Sequence, residues 1–166
     1  MTTTDRQPDW DALAPHAAML AVIDAAEQAA HGRAEAASVV IADAAVPSAW
    51  LRIAAVRSLA GLLAGPHARA SFDKLRADAH ELAAEVGADD EQVRLALAAI
   101  ALAEAFERGQ IGRCDQLVAV SEFSDLDVAH AASVLAGHVV AFLAGTDVAA
   151  VFATLRRQHG GEHDGR

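Results

Sequence analysis

Apolar and polar residues recur with a helical period along most of this chain. Trp50, Ile53 and Val56, followed by Leu59 or Ala60, show the pattern, because side chains three or four residues apart share one face of a helix. Glycine and proline stand between the periodic segments, where helices end. The sequence therefore predicts eight helices, over residues 11 or 15 to 31, 33–45, 49–64, 71–86, 90–108, 111–121, 125–144 and 147–159.

These segments predict an all-α fold in one domain. A length of 166 residues suits a single domain with a substantial core. We expect a flexible tail over residues 1–9, a helical domain over residues 10–159 and a disordered tail over residues 160–166. Short polar side chains at predicted helix starts are expected to be N-caps; they belong to Ser48, Ser71 and Ser124. Asp89-Asp90 gives the fifth helix an acidic start, which is favourable against the helix dipole.

The fifth predicted helix is apolar on two sides. One side carries Val93, Leu97 and Ile100, and the other carries Leu95, Leu102 and Phe106. A helix that is apolar nearly all round is buried by neighbours on both sides. We therefore expect this helix to be the central element, with Glu104 as the one acid that interrupts it.

Three of the predicted helices share a pattern of a polar start followed by alanine and leucine. They begin near Ser48, Asp90 and Asp125. Leu51-Arg52-Ile53-Ala54-Ala55 and Val93-Arg94-Leu95-Ala96 resemble the signature in the second helix of HEAT repeats, and Asp127-Val128-Ala129 keeps part of it. The resemblance implies antiparallel helix pairs stacked over about residues 33–144. An irregular helical bundle is the alternative, because the three units are unevenly spaced and helix periodicity alone produces such similarity.

Composition narrows the class of protein. Frequent alanine with five Phe, two Trp and no Tyr favours helices over strands. A single cysteine allows no disulfide within the chain, and the first residues lack the pattern of a secretory signal, so a cytoplasmic location is expected. The longest apolar runs fall short of the about 20 residues that span a bilayer. No membrane association is expected.

The formal net charge of −10 suggests which partners to expect. Nucleic-acid binding surfaces carry clustered lysine and arginine, so no nucleic acid is expected. An acidic surface attracts a cationic partner, which favours binding to a basic protein. Self-association is a further expectation. The outer faces of the terminal helices in a stack have no neighbour, so they remain available for association unless polar residues occupy them.

Few residues suggest a catalytic or metal-binding role. His80-Glu81 resembles the start of a histidine-kinase phosphoacceptor box, but the residues that follow differ, so an exposed polar position is favoured. Asp127 and His130 share a helix face, although no further ligand accompanies them. Cys114 is interpreted as a small buried side chain. The sequence contains no catalytic set, metal-ligand spacing or phosphate loop, so no metal and no cofactor are expected.

Two hypotheses of function follow from these observations. The first is a non-enzymatic acidic helical adaptor or regulator that binds another protein. The alternative is a helical bundle that binds, or acts on, a small molecule in an apolar pocket between its helices. For that pocket the sequence offers Trp50, Phe106 and Phe142 as walls and Glu104 as an internal acid.

Overall fold

The computed structural model describes residues 8–66 and 68–160, and the regular structure in these residues is entirely helical. Eight helices are found there: α1 (His16–Ala30), α2 (Ala34–Asp43), α3 (Ser48–Leu63), α4 (Ala68–Val86), α5 (Glu91–Glu107), α6 (Ile111–Val120), α7 (Asp125–Ala144) and α8 (Val148–Gly160). The predicted all-α class is confirmed. Most of the two predicted tails, residues 1–7 and 161–166, lies outside the described residues.

Of the three predicted N-caps only Ser124 is confirmed, and Asp90 at the predicted acidic start of α5 is a further N-cap. The side chain of Asp90 accepts hydrogen bonds from the backbone of Gln92 and Val93, and Ser124 forms a reciprocal capping box with Asp127. Ser48 is instead the first residue of α3, after a proline at the cap position. Ser71 lies inside α4, which starts three residues earlier. The Ala-Arg-Ala sequence before it consists of strong helix formers.

The core is arranged around α7. This helix packs most extensively against α3 and α1, and it also contacts α5, α2 and α8. α5 packs against α3, α4, α6 and α7, and Ile100 and Leu102, one from each predicted apolar side, are both buried, so its two-sided burial is confirmed. The prediction that α5 is the central element is wrong, because α7 contacts more of the other helices.

α7 is also the helix that passes a membrane-span test by length and composition among the described residues. In this fold it contacts α1, α2, α3, α5 and α8, and small side chains make up much of its buried surface. A helix that packs against several others needs apolar residues on most of its faces, and so does a helix that spans a membrane.

One of the three helix pairs that the HEAT resemblance implies is observed. α4 packs against α5, whereas α2 with α3 and α6 with α7 do not pack extensively within the described residues. α1 instead packs against α7 and α8, which are far away in sequence. Repeat stacks contact only their neighbours along the chain. Of the two predicted alternatives, the architecture is therefore the irregular helical bundle.

A glycine allows α1 and α7 to approach closely. A Cβ atom at Gly137 would overlap the carbonyl oxygen of Ala26 and would lie 2.9 Å from the Cβ of Ala29. Gly61 occupies the equivalent place in the sequence pattern of α3, but a Cβ there meets no atom within 4 Å. The equivalent positions of the two glycines suggest that both allow close contact between helices. The structure confirms this contact for Gly137 and shows none at Gly61.

A buried ion pair joins the N-terminal parts of α3 and α7. The guanidinium Nη1 of Arg52 donates to Asp125 Oδ1 at 2.5 Å, and only 2% of Arg52 is exposed. The Trp10 ring covers this guanidinium, with 5.2 Å from the Arg52 Cζ to the ring centroid. An arginine in an amphipathic helix is expected on its polar, solvent-facing side, yet Arg52 is buried, because α7 and Trp10 cover it.

Substitution of the two glycines by alanine tests the close approach. Gly137→Ala should lower the free energy of unfolding by about 1–3 kcal/mol, because the added methyl group overpacks the contact with α1. Gly61→Ala is the matched control and should raise it by up to about 1 kcal/mol, through helix propensity alone. Urea denaturation measures both. Equal effects of the two substitutions would contradict the described contact.

Candidate functional site

A cleft of about 900 Å³ opens between α1, α3, α7 and α8. Its walls are mainly aliphatic and aromatic. They include Val22 and Ile23 of α1, Leu62 of α3, Val140 of α7 and Phe152 of α8. The volume lies within the range of about 300–1,000 Å³ that is typical of small-molecule sites.

Helical spacing places these side chains on the cleft. In α1, Met19, Val22, Ile23 and Ala26 follow one another at the steps that share one face. In α8, Phe152 and Leu155 are three residues apart and share one face of the helix. α8 contacts both α7 and α1, and its contact with α1 is the more extensive.

An ion cluster holds α8 against α1. Arg156 donates to Asp24 Oδ1 from Nη2 at 2.8 Å and from Nε at 3.1 Å, and it also contacts Glu27. These two carboxylates raise the pKa of the Arg156 guanidinium above its ordinary value, so the cation is maintained. The cluster lies beside the cleft and fixes the position of one wall. No pattern in the sequence indicates this cluster, because Arg156 lies more than 125 residues from both of its carboxylate partners.

The polar side chains that line the cleft are basic or neutral. They are Arg57 and Ser58 of α3, His16 of α1, and Gln158 and His159 of α8. None of the described lining residues is Asp or Glu, although the chain has 23 acidic residues. The cleft is therefore a region without carboxylates on an acidic protein.

Arg57 is held in place at the cleft. Its Nη1 donates to the backbone oxygen of Ala12 at 2.7 Å. Its guanidinium also lies over the ring of Phe106, with 5.7 Å from Cζ to the ring centroid. The side chain is half-buried, and it leaves further N–H groups for an acceptor in the cleft.

The four residues predicted for an apolar pocket are not brought together. Phe142 is 78% exposed, and Trp50 is half-buried near the start of α3. Phe106 packs against Trp10 at a ring-centroid distance of 6.2 Å. None of these four, Glu104 included, lines the described cleft.

Glu104 is bound by two arginines at the edge of the core. Its Oε1 lies 2.6 Å from Arg108 Nη2, and its Oε2 contacts Arg76 of α4. Arg76 also pairs with Asp73 at 2.9 Å. A carboxylate that has two cationic partners serves to join α4 to α5 rather than to react.

The other candidate residues lie in ordinary structural settings. His80 and Glu81 are exposed on α4. Asp127 belongs to the capping box of α7, and His130 Nε2 lies 3.2 Å from the backbone oxygen of Ala34. Among the described residues, no group of three or more His, Cys, Asp or Glu side chains is placed to hold a metal ion.

Cys114 is fully buried in α6. Its Sγ lies 3.9 Å from the backbone oxygen of Leu102, so α6 contacts α5 at this point. Burial, together with the charge of Asp115, raises the pKa of the Cys114 thiol to about 11. A neutral buried thiol is a poor nucleophile. The structure thus confirms the interpretation of Cys114 as a small buried side chain.

Comparison of the chain with protein families, curated proteins and solved structures gives no match. Inference about function therefore depends on the geometry and charge of the sites described above.

The Cys114 thiol predicts how stability depends on alkaline pH. Its pKa rises from 9.0 to about 11 on folding, so the stability it contributes is complete below pH 9. The free energy of unfolding should fall as the pH rises from 9 to 11, because the unfolded chain loses the proton first. The chain has no tyrosine and a single lysine, so few other groups ionise in this range.

Chemical denaturation at several pH values tests this prediction. Cys114→Ala is the matched control and should show a smaller fall in unfolding free energy between pH 9 and pH 11. The same fall in both proteins would assign the pH dependence to another group.

Proposed function

We propose that the protein binds an aliphatic carboxylate in the cleft between α1, α3, α7 and α8. The observation that carries the proposal is the distribution of charge. The cleft combines apolar walls with Arg57 and two histidines, and its described lining has no acid in a chain of net charge −10. An apolar molecule with an anionic group matches both properties.

Arg57 is the group proposed to hold the carboxylate. A guanidinium presents several N–H donors and forms hydrogen bonds to carboxylates that are stronger than those between neutral groups. Ala12 and the Phe106 ring already hold the Arg57 side chain in one orientation. A ligand that binds a preorganised group loses less conformational entropy. The aliphatic part of the ligand would lie along Val22, Val140 and Phe152.

The proposed role is binding rather than catalysis. Ser58 is the hydroxyl residue in the described lining, and its Oγ donates to the backbone oxygen of Ala54 at 2.7 Å. A serine nucleophile requires a neighbouring base that accepts its proton. Ser58 directs its proton to the backbone of its own helix instead.

Thermal unfolding in the presence of submicellar dodecanoate tests the proposal. A ligand at 100 times its dissociation constant raises the free energy of unfolding by about 2.7 kcal/mol. We expect stabilisation by dodecanoate and much less by dodecylamine, which has the same chain and the opposite charge. Arg57→Gln should weaken dodecanoate binding about tenfold, the effect of one charge-assisted hydrogen bond.

A substitution that fills the cleft provides a second test of dodecanoate binding. Gly61 lines the cleft, and a Cβ added there meets no atom within 4 Å, so Gly61→Leu should occupy the cleft, block binding and leave the fold intact. Gly112→Leu is the matched control, because a Cβ added at Gly112 also meets no atom within 4 Å and Gly112 does not line the cleft. Equal stabilisation of both variants by dodecanoate, or none of the wild type, would refute the proposal.

We propose binding of a basic protein as a second candidate, because one helix presents a suitable surface. α4 exposes Leu82 and Val86, which are 39% and 53% accessible. The exposed acids Glu81 and Glu85 lie beside them on the helix. An acidic surface with apolar side chains matches the face of a cationic amphipathic helix.

Capture of host proteins by charge-reversed variants tests this second function. Glu81→Lys with Glu85→Lys should abolish capture of a basic partner whose binding weakens with salt. Glu35→Lys with Asp43→Lys is the matched control, since it makes the same change of net charge at exposed positions of α2. If both double variants capture the partner equally well, α4 is not its binding surface.

A further inference from the structure

A buried tryptophan anchors the chain that precedes α1. Residues 8–15 form no helix, and Trp10 in this N-terminal segment is only 2% exposed. Its indole N–H donates to Asp115 Oδ1 of α6 at 3.0 Å. Its ring contacts the Arg52 guanidinium of α3 and the Phe106 ring of α5. Three helices therefore hold the N-terminal segment through one side chain.

The N-terminal segment supplies one of the contacts that orient Arg57 at the cleft. Trp10 lies in a turn that is closed by a hydrogen bond from the Ala12 backbone N–H to the Asp9 oxygen at 3.0 Å. The carbonyl oxygen of Ala12 then accepts from Arg57 Nη1 at 2.7 Å. A displacement of Trp10 would therefore displace the acceptor that orients the Arg57 guanidinium.

A second contact of Arg57 also leads to Trp10. The Arg57 guanidinium lies over the Phe106 ring, with Cζ 5.7 Å from the centroid, and the Phe106 ring packs against Trp10. Both of these contacts of Arg57 thus depend on the position of the indole. Neither Trp10 nor Phe106 belongs to the described lining of the cleft. An effect of Trp10 on a ligand in the cleft has to be transmitted by the groups between them.

We propose that Trp10 is a positioning residue of the cleft, which sets the affinity of Arg57 for an aliphatic carboxylate. This role rests on the proposed function, since it presupposes a carboxylate at Arg57. A guanidinium that is already oriented loses less conformational entropy when it binds a ligand. When Trp10 is displaced, the ligand itself has to order the Arg57 side chain, so binding of the carboxylate weakens. By linkage, a bound carboxylate in turn stabilises the docked N-terminal segment.

Octanoate and 1-octanol separate the contribution of Arg57 from that of the apolar walls, because they share one chain length and differ in charge. Isothermal titration calorimetry measures the affinity of the full chain for each. Trp10→Ala should weaken octanoate binding about two- to tenfold, which corresponds to the cost of ordering one long side chain. Octanol binding should be unchanged. Trp10→Phe keeps a ring that can pack against Phe106 and should restore most of the octanoate affinity.

A double substitution tests whether the effect passes through Arg57. The variant with both Trp10→Ala and Arg57→Gln should bind octanoate no more weakly than Arg57→Gln alone, because positioning has no effect once the guanidinium is absent. Additive weakening by the two substitutions would mean that Trp10 acts on the ligand by another route, and it would overturn the proposed role.

Asp115→Ala loosens Trp10 from an exposed position and leaves the two rings and Arg57 in the chain. It should weaken octanoate binding about twofold and leave octanol binding unchanged. Asp43→Ala is the matched control, because it removes one carboxylate from an exposed position of α2. Loss of a negative charge by itself favours binding of an anion. Weaker octanoate binding in Asp115→Ala alone would therefore be opposite to the general effect of charge.

Failure of this role is distinguishable from failure of the proposed function. If the unmodified chain does not bind octanoate, or if Arg57→Gln binds it equally well, the proposed function fails and the role of Trp10 fails with it. If Arg57→Gln weakens octanoate binding, but Trp10→Ala and Asp115→Ala leave the preference for octanoate over octanol unchanged, the proposed function stands and Trp10 has no positioning role.

Discussion

The close approach of α7 to α1 and α3 is the constraint on which the rest of the fold depends. Gly137 brings two backbones together where any side chain would separate them, and alanines extend the contact along α7. Further along the same helix, Ala136 and Val140 face the cleft, and Phe152 of α8 lies across it. Small residues at the contact thus fix the helix axes, and larger residues beside it line the space that remains between them.

Much of the secondary structure follows from local chemistry and is predictable from the sequence. Helix periodicity with glycine and proline at the ends locates the eight helices, and Asp90 and Ser124 mark two starts through their own hydrogen bonds. Helix pairing is not local. The three similar helices suggested a stack, but which helix covers which depends on contacts between distant segments, such as Arg52 with Asp125. No feature near Arg52 shows that it is buried.

The candidate sites were the hardest part to predict for the same reason. The proposed pocket residues Trp50, Glu104, Phe106 and Phe142 are large or charged side chains in apolar helices, and the structure distributes them over separate environments. The cleft is lined by segments from Leu13 to His159. Its lining lacks carboxylates because of which distant segments come together, and no short stretch of the sequence shows this.

The long separation of partner residues also determines when during synthesis this fold is completed. Trp10 and Asp115 are 105 residues apart, and Asp24 and Arg156 are 132 residues apart. At about 5–20 residues per second, the ribosome needs on the order of ten seconds to make the chain between such partners. During that time α1 has emerged without the α7 and α8 surfaces that cover it. The nascent chain therefore exposes the apolar face of α1 until α7 and α8 have been made and can cover it.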